Sequence, residues 1–208
     1  MTGRDARHWA DYNDAQAGRA VRELCGEVIA LAGPGEGRTA IDLGCGAGVE
    51  TRALLHAGWR VHAIDSAPGT PERVLATVTD HAEDLAATLG GGRLTIEVAD
   101  LATLDRLPPA GLVYSGYSLQ YLAPDDFARL WPLIRESLRP GAWLAVTLLG
   151  DRDEWAGTPG ETFLAEPAVR GLVDGLDLHR LTEEDADGPA FGGTKHWHVF
   201  HVIARAPG

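Results

Sequence analysis

The stretch Ala40–Thr51, AIDLGCGAGVET, constrains the fold more than any other. Its first residues suit a buried strand. Glycines then fall at 44, 46 and 48, and helical periodicity follows. Glycine is required where the backbone takes positive φ or where a ligand meets bare main chain. At a strand-to-helix turn, the helix N-terminus then aims its free amides at that ligand. The spacing is not the dinucleotide fingerprint G-x-G-x-x-G, because position 49 is Val. It is not a phosphate loop either, since no Lys-Ser/Thr pair follows. Asp42, two residues before the first glycine, would repel a pyrophosphate and suit a ligand with an ammonium or sulfonium charge.

Short β-like runs alternate with helix-like ones over the rest of the chain. Strands are expected at 39–43, 60–65, 93–98, 111–115, 142–149, 176–182 and 196–204. Helices are expected at 17–32, 49–57, 70–89, 125–138 and 166–174. Such alternation predicts a mostly parallel sheet with helices on both faces and a ligand beyond the carboxyl ends of the strands. The last two strands leave no room for a crossover helix. They are expected to form an antiparallel hairpin with a long loop.

The bulk properties exclude several classes. The 208 residues suit one domain, with an N-terminal helical segment over 1–35 ahead of a core over 36–208. No apolar run approaches the roughly 18 residues of a membrane helix, and the N-terminus has no apolar signal core. With 18 basic against 30 acidic residues and a net charge of −12, nucleic acid is not an expected partner. Cys25 and Cys45 form no disulfide framework, which fits a cytoplasmic protein. Oligomeric state is left open.

AIDLGCGAGVE resembles motif I of the class I S-adenosylmethionine (SAM)-dependent methyltransferases, D-x-G-x-G-x-G. VHAIDSAPG, EVADLATL, GLVYSGYSLQYL and ESLRPGAWLAVTLL resemble the family's later motifs in order, and the resemblance spans about residues 9–205. It implies a Rossmann-like seven-stranded sheet, order 3-2-1-4-5-7-6 with strand 7 antiparallel. It also implies SAM as cofactor and S-adenosylhomocysteine (SAH) as product. By this resemblance the cofactor is held by Tyr12, Asp42, Gly44, Cys45, Gly46, Gly48, Asp65, Ser66, Asp100, Leu101, Ser115 and Gly116. Asp65 would take both ribose hydroxyls, Asp100 the adenine amine, and Leu101 the ring. LLGDRDEWAG (148–157) and KHWHVFHVIARAP (195–207) resemble a small bacterial, TehB-like (tellurite-resistance-like) group.

The acceptor side is expected where the loop after strand five meets the start of strand seven. His196, Arg152 and Tyr12 are the candidate catalytic residues. Tyr117, Gln120, Asp151, Trp155, Lys195 and His198 are the candidate substrate contacts. His196 would take a proton from an acceptor hydroxyl, thiol or amine, or would orient a carboxylate with Arg152 and Lys195. The rival reading is that His196 and His198 only hydrogen-bond within the fold. His-x-His on one strand face also allows two metal ligands, but no third is evident, so no metal is assigned. The expected activity is methyl transfer to a small molecule or short peptide by direct displacement. The alternatives are a catalytically silent SAM-binding protein and an NAD-dependent oxidoreductase.

Overall fold

A computed structural model describes residues 6–79, 91–190 and 193–208. The strands are β1 (Thr39–Leu43), β2 (Arg60–Asp65), β3 (Leu94–Val98), β4 (Ala110–Ser115), β5 (Leu138–Leu149), β6 (Asp177–Ala190) and β7 (Gly193–Arg205). The helices are α1 (Ala6–Gln16), α2 (Glu23–Ala32), α3 (Val49–His56), α4 (Thr70–Thr79), α5 (Pro124–Ser137) and α6 (Glu166–Leu172). The strands form one sheet in the order β3-β2-β1-β4-β5-β7-β6. β7 runs antiparallel to both neighbours, and the other neighbouring pairs are parallel.

Strand alternation separates two cores. Ile41, Leu43, Val113, Leu144, Val146 and Phe200 face α5 and α6 through Leu130, Trp131, Ile134 and Val169. Ala40, Val61, Leu112, Ala145 and Ile203 face α2, α3 and α4 through Val28, Leu54, Leu55, Val74 and Val78. Each Val, Leu, Ile or Phe among them contributes about 1.5–3 kcal/mol when fully buried. No helix among the described residues is long and apolar enough to cross a membrane.

Two expected boundaries are corrected. The helix expected at 17–32 does not run through. α1 stops at Gln16, Gly18 takes φ +82°, and Arg22 is extended (φ −63°, ψ 142°) before α2 begins at Glu23. The expected long loop of the final hairpin is strand instead. Its acids pair across the ladder with the basic partner strand, Asp185 opposite His198 and Asp187 opposite His196. Polar pairs that hydrogen-bond across the strands stabilise such a ladder, and an acidic edge resists further strand addition. The distal half of the helix expected at 70–89 lies outside the described residues.

Candidate functional site

A cavity of about 230 Å³ opens beyond the carboxyl ends of β1, β2 and β4 and is roofed by α1. Its floor is the glycine turn. Gly44 (φ +73°), Gly46 (φ +53°) and Gly48 (φ +81°) all adopt left-handed backbone. A Cβ on Gly44 would lie 2.0 Å from Ser118 Oγ, and one on Gly46 would lie 2.9 Å from Asn13 Oδ1. Side chains at 44 and 46 would therefore meet both a close neighbour and unfavourable backbone. Gly44 and Gly46 line the cavity, whereas Gly48 caps α3 and abuts Val74 of α4.

Asp65 ends β2 and ties this turn down. Its Oδ2 accepts from the Gly46 amide at 2.9 Å, and its Oδ1 accepts from the Ala67 amide at 2.8 Å. Asp100 starts the next turn and accepts from the Ala102 amide at 2.9 Å. Both carboxylates line the cavity and keep lone pairs for a ligand. Asp42 is fully buried at the cavity wall and accepts from the Thr51 hydroxyl at 2.7 Å. Burial, and then the neighbouring Glu50, push its pKa from an ordinary 3.8 to about 7. Burial also pushes the Cys45 thiol well up, which leaves it a neutral packing group in the turn.

Glu50 carries the N-terminal segment. Arg19 grips both of its oxygens, at 2.6 and 2.5 Å, and the Arg22 amide donates to it at 3.1 Å. Burial opposes its charge, but these donors hold its pKa below the ordinary range. Asp14 adds a second clasp to Arg73 at 2.5 Å. Trp9 packs edge-on against Tyr12 and Tyr121, and all three rings line the cavity.

Tyr12, Asp42, Gly44, Cys45, Gly46, Asp65, Ser66, Asp100, Leu101, Gly116 and Tyr117 are thus brought together around one space. Gly48, Ser115 and Gln120 are not among the residues that line it. The Ser115 hydroxyl is buried and donates to the Leu43 carbonyl at 2.9 Å. Asn13, Arg19, Arg22, Glu50, Tyr114 and Ser118 also line the cavity and were not anticipated. The interrupting Gly18, just before two arginines, is the local sign that the segment turns there instead of continuing as a helix.

The structure places the expected acceptor cluster apart from this cavity. Asp151, Arg152, Trp155, Lys195, His196 and His198 lie off the cavity, because the hairpin and the 150–155 turn spend them on each other. Arg152 pairs with Glu183 and Asp185. Both nitrogens of His196 meet carboxylates, Asp187 at 2.9 Å and Asp185 at 2.7 Å, and these raise its pKa. His198 is fully buried. Its Nδ1 accepts from the Arg152 amide at 3.0 Å, so its Nε2 carries the proton and donates to Glu183 at 2.8 Å. Glu183, Asp185 and His198 bring ligand-type atoms within 4.8 Å of one another, but the Arg152 guanidinium supplies the positive charge between the acids. Lys195 is buried against Asp153, with its ammonium 3.6 Å from the Trp155 ring and 4.0 Å from the Trp197 ring. These residues form a clamp.

Two polar atoms on the cavity wall point to a ligand. Tyr114 Oη and Arg19 Nε are buried without a hydrogen-bond partner among the described residues. A donor in this state is stabilised by a bound acceptor.

A model of the methyltransferase domain matches residues 40–141, from β1 to the start of β5. A trans-aconitate 2-methyltransferase from Methylobacterium nodulans is 30% identical over 99% of this chain and 75% of its own length. The chain belongs to the class I SAM-dependent methyltransferases. A second trans-aconitate 2-methyltransferase, from Streptomyces avermitilis, is 37% identical over 54% of this chain. That match spans only 39% of the relative's length. The fold also matches TehB from Haemophilus influenzae, with a TM-score of 0.73 at 13% identity over 95% of this chain and 67% of that one. The family's cofactor is SAM, and the glycine turn, Asp65 and Asp100 fit it.

Proposed function

We propose that this methyltransferase transfers the methyl group of SAM to a small-molecule acceptor that arrives already nucleophilic. The observation that carries this is the cavity's composition. Three carboxylates and a glycine turn are set out across the ends of β1 to β3, and no histidine or lysine lines the space among the described residues. Asp65 takes the ribose diol with its remaining lone pairs, and Asp100 with Leu101 takes the adenine. Asp42 takes the ammonium end, where its raised pKa gives way to a bound cation. Trp9, Tyr12 and Tyr121 present aromatic rings whose faces suit a sulfonium and whose bulk keeps water out.

When bound, SAM supplies a methyl group already activated on positively charged sulfur. The chain's own contribution is alignment and dryness, which are worth more here than proton transfer. A carboxylate or an uncharged amine needs no general base, which accords with the absence of His196 from the cavity wall. The names of the relatives make trans-aconitate the first acceptor to try. Incubation with methyl-labelled SAM and trans-aconitate, alongside other small acids and amines, should move label into an acceptor with one SAH formed per methyl. SAH binding without label in any acceptor would overturn the catalytic reading.

A further inference from the structure

The sheet order divides the cavity. Asp65 and Asp100 follow β2 and β3, on one side of β1. Gly116, Tyr117 and Ser118 follow β4, on the other side. With the nucleoside at the first end, the second is left for the acceptor. Its charge is unusual for this chain. The cavity is lined by Asp42, Glu50, Asp65 and Asp100, and the protein carries a net charge of −12. An anion would enter only if a cation met it.

Two cations line the space among the described residues, and one is already committed. Arg19 spends both terminal nitrogens on Glu50. Arg22 does not. Its guanidinium lies 4.6 Å from the centre of the Tyr117 ring and makes no hydrogen bond or ion pair to a carboxylate among the described residues. A cation–π contact to the ring does not use up the guanidinium's N–H donors, which can grip a carboxylate.

The platform is fixed from several sides. The Arg22 amide is bonded to Glu50, and its carbonyl accepts from the Cys25 and Gly26 amides at 3.0 and 3.1 Å. Tyr117 holds φ +57°, a backbone conformation rare outside glycine, and its amide donates to Thr147 Oγ1 at 2.5 Å. Its ring meets Trp197 and His201 edge-on, at 5.9 and 6.3 Å. Strained backbone of this kind concentrates at ligand sites. Beside the platform stands Tyr114, whose buried hydroxyl lacks a partner among the described residues.

We infer that Arg22, held over the Tyr117 ring, is the specificity-determining residue that binds a carboxylate of the methyl acceptor. This rests on the SAM-dependent reading above and names the acceptor class for it, a small organic acid. A neutral acceptor would leave the guanidinium's N–H donors without a charged partner in direct contact.

The test is titration of the protein–SAH complex with trans-aconitate, benzoate and fumarate, and with the uncharged trimethyl ester of trans-aconitate. At least one of the acids should bind, and the ester should not. Arg22→Gln should weaken that binding on the order of tenfold or more while leaving SAH affinity within about twofold, as loss of one charge-assisted contact implies. Arg22→Lys, which keeps the charge and loses the fork, should fall between. Matching melting temperatures for the three proteins would exclude a folding defect. Equal binding of acids by wild type and Arg22→Gln, or no binding of any acid, would overturn the inference. So would selective loss of SAH affinity in Arg22→Gln, which would assign the carboxylate to the cofactor. Failure of wild type to bind SAH is a different result and would instead sink the SAM-dependent reading.

Discussion

Asp65→Ala is expected to weaken SAH binding by about a hundredfold, which follows from losing two charge-assisted hydrogen bonds at about 1.5 kcal/mol each. The side chain has two tasks. It holds the glycine turn through the Gly46 and Ala67 amides, and it offers the remaining lone pairs of both oxygens to the cavity. Alanine removes both. Asp65→Asn keeps one acceptor oxygen but turns an NH₂ group toward one of those two amide donors, so it should also bind weakly. Thermal melting of each variant separates loss of the ligand from loss of the fold. Undiminished affinity in Asp65→Ala would remove the proposed ribose contact. The same titration carries a pH signature from Asp42. Its pKa of about 7 in the free protein means that below pH 7 a ligand ammonium must displace a proton. Wild-type affinity should therefore fall as pH drops below 7, and Asp42→Asn should lose that dependence.

Asp153→Ala is expected to lower the melting temperature by roughly 6–20 °C, from about 3–5 kcal/mol for an orphaned buried charge at about 2–4 °C per kcal/mol in a chain of this size. Asp153 is 3% exposed, and its Lys195 partner is 4% exposed between two indoles. The carboxylate also accepts from the Trp155 amide at 3.0 Å and the His198 amide at 3.1 Å, so one substitution removes several ties between the 150–155 turn and β7. Gly150 shows how close that approach is, since a Cβ there would lie 2.0 Å from His198 Nδ1. Adding Lys195→Met should recover part of the loss, because a buried pair replaced as a whole is often near neutral. A melting temperature within about 2 °C of wild type would show that the pair is not a structural clamp.

Much of the fold was legible because its signals are local. β1, the glycine turn and α3 follow from strand propensity, three glycines and helical period within twelve residues. Asp65 and Asp100 were singled out by the resemblance of their motifs to the family's, and both line the cavity. What failed was information carried by distant partners. His196 was read from its own strand, whereas Asp185 and Asp187 on β6 meet both of its ring nitrogens. Thr182–Ala190 reads as a loop because acids, Gly and Pro favour turns, and only the facing histidines and lysine of β7 make it a strand. Arg19 and Arg22 were hidden inside an expected helix. Their segment is held open by Glu50, which lies 28 to 31 residues away in sequence.

The most direct test of SAM binding in the glycine-floored cavity is isothermal titration of the wild-type protein with SAM, SAH and NAD⁺ in turn. Micromolar, one-to-one binding of the two adenosyl ligands, with no heat from NAD⁺, is the expected result. Binding of NAD⁺ alone would contradict it and would make the turn at Gly44, Gly46 and Gly48 an irregular dinucleotide site.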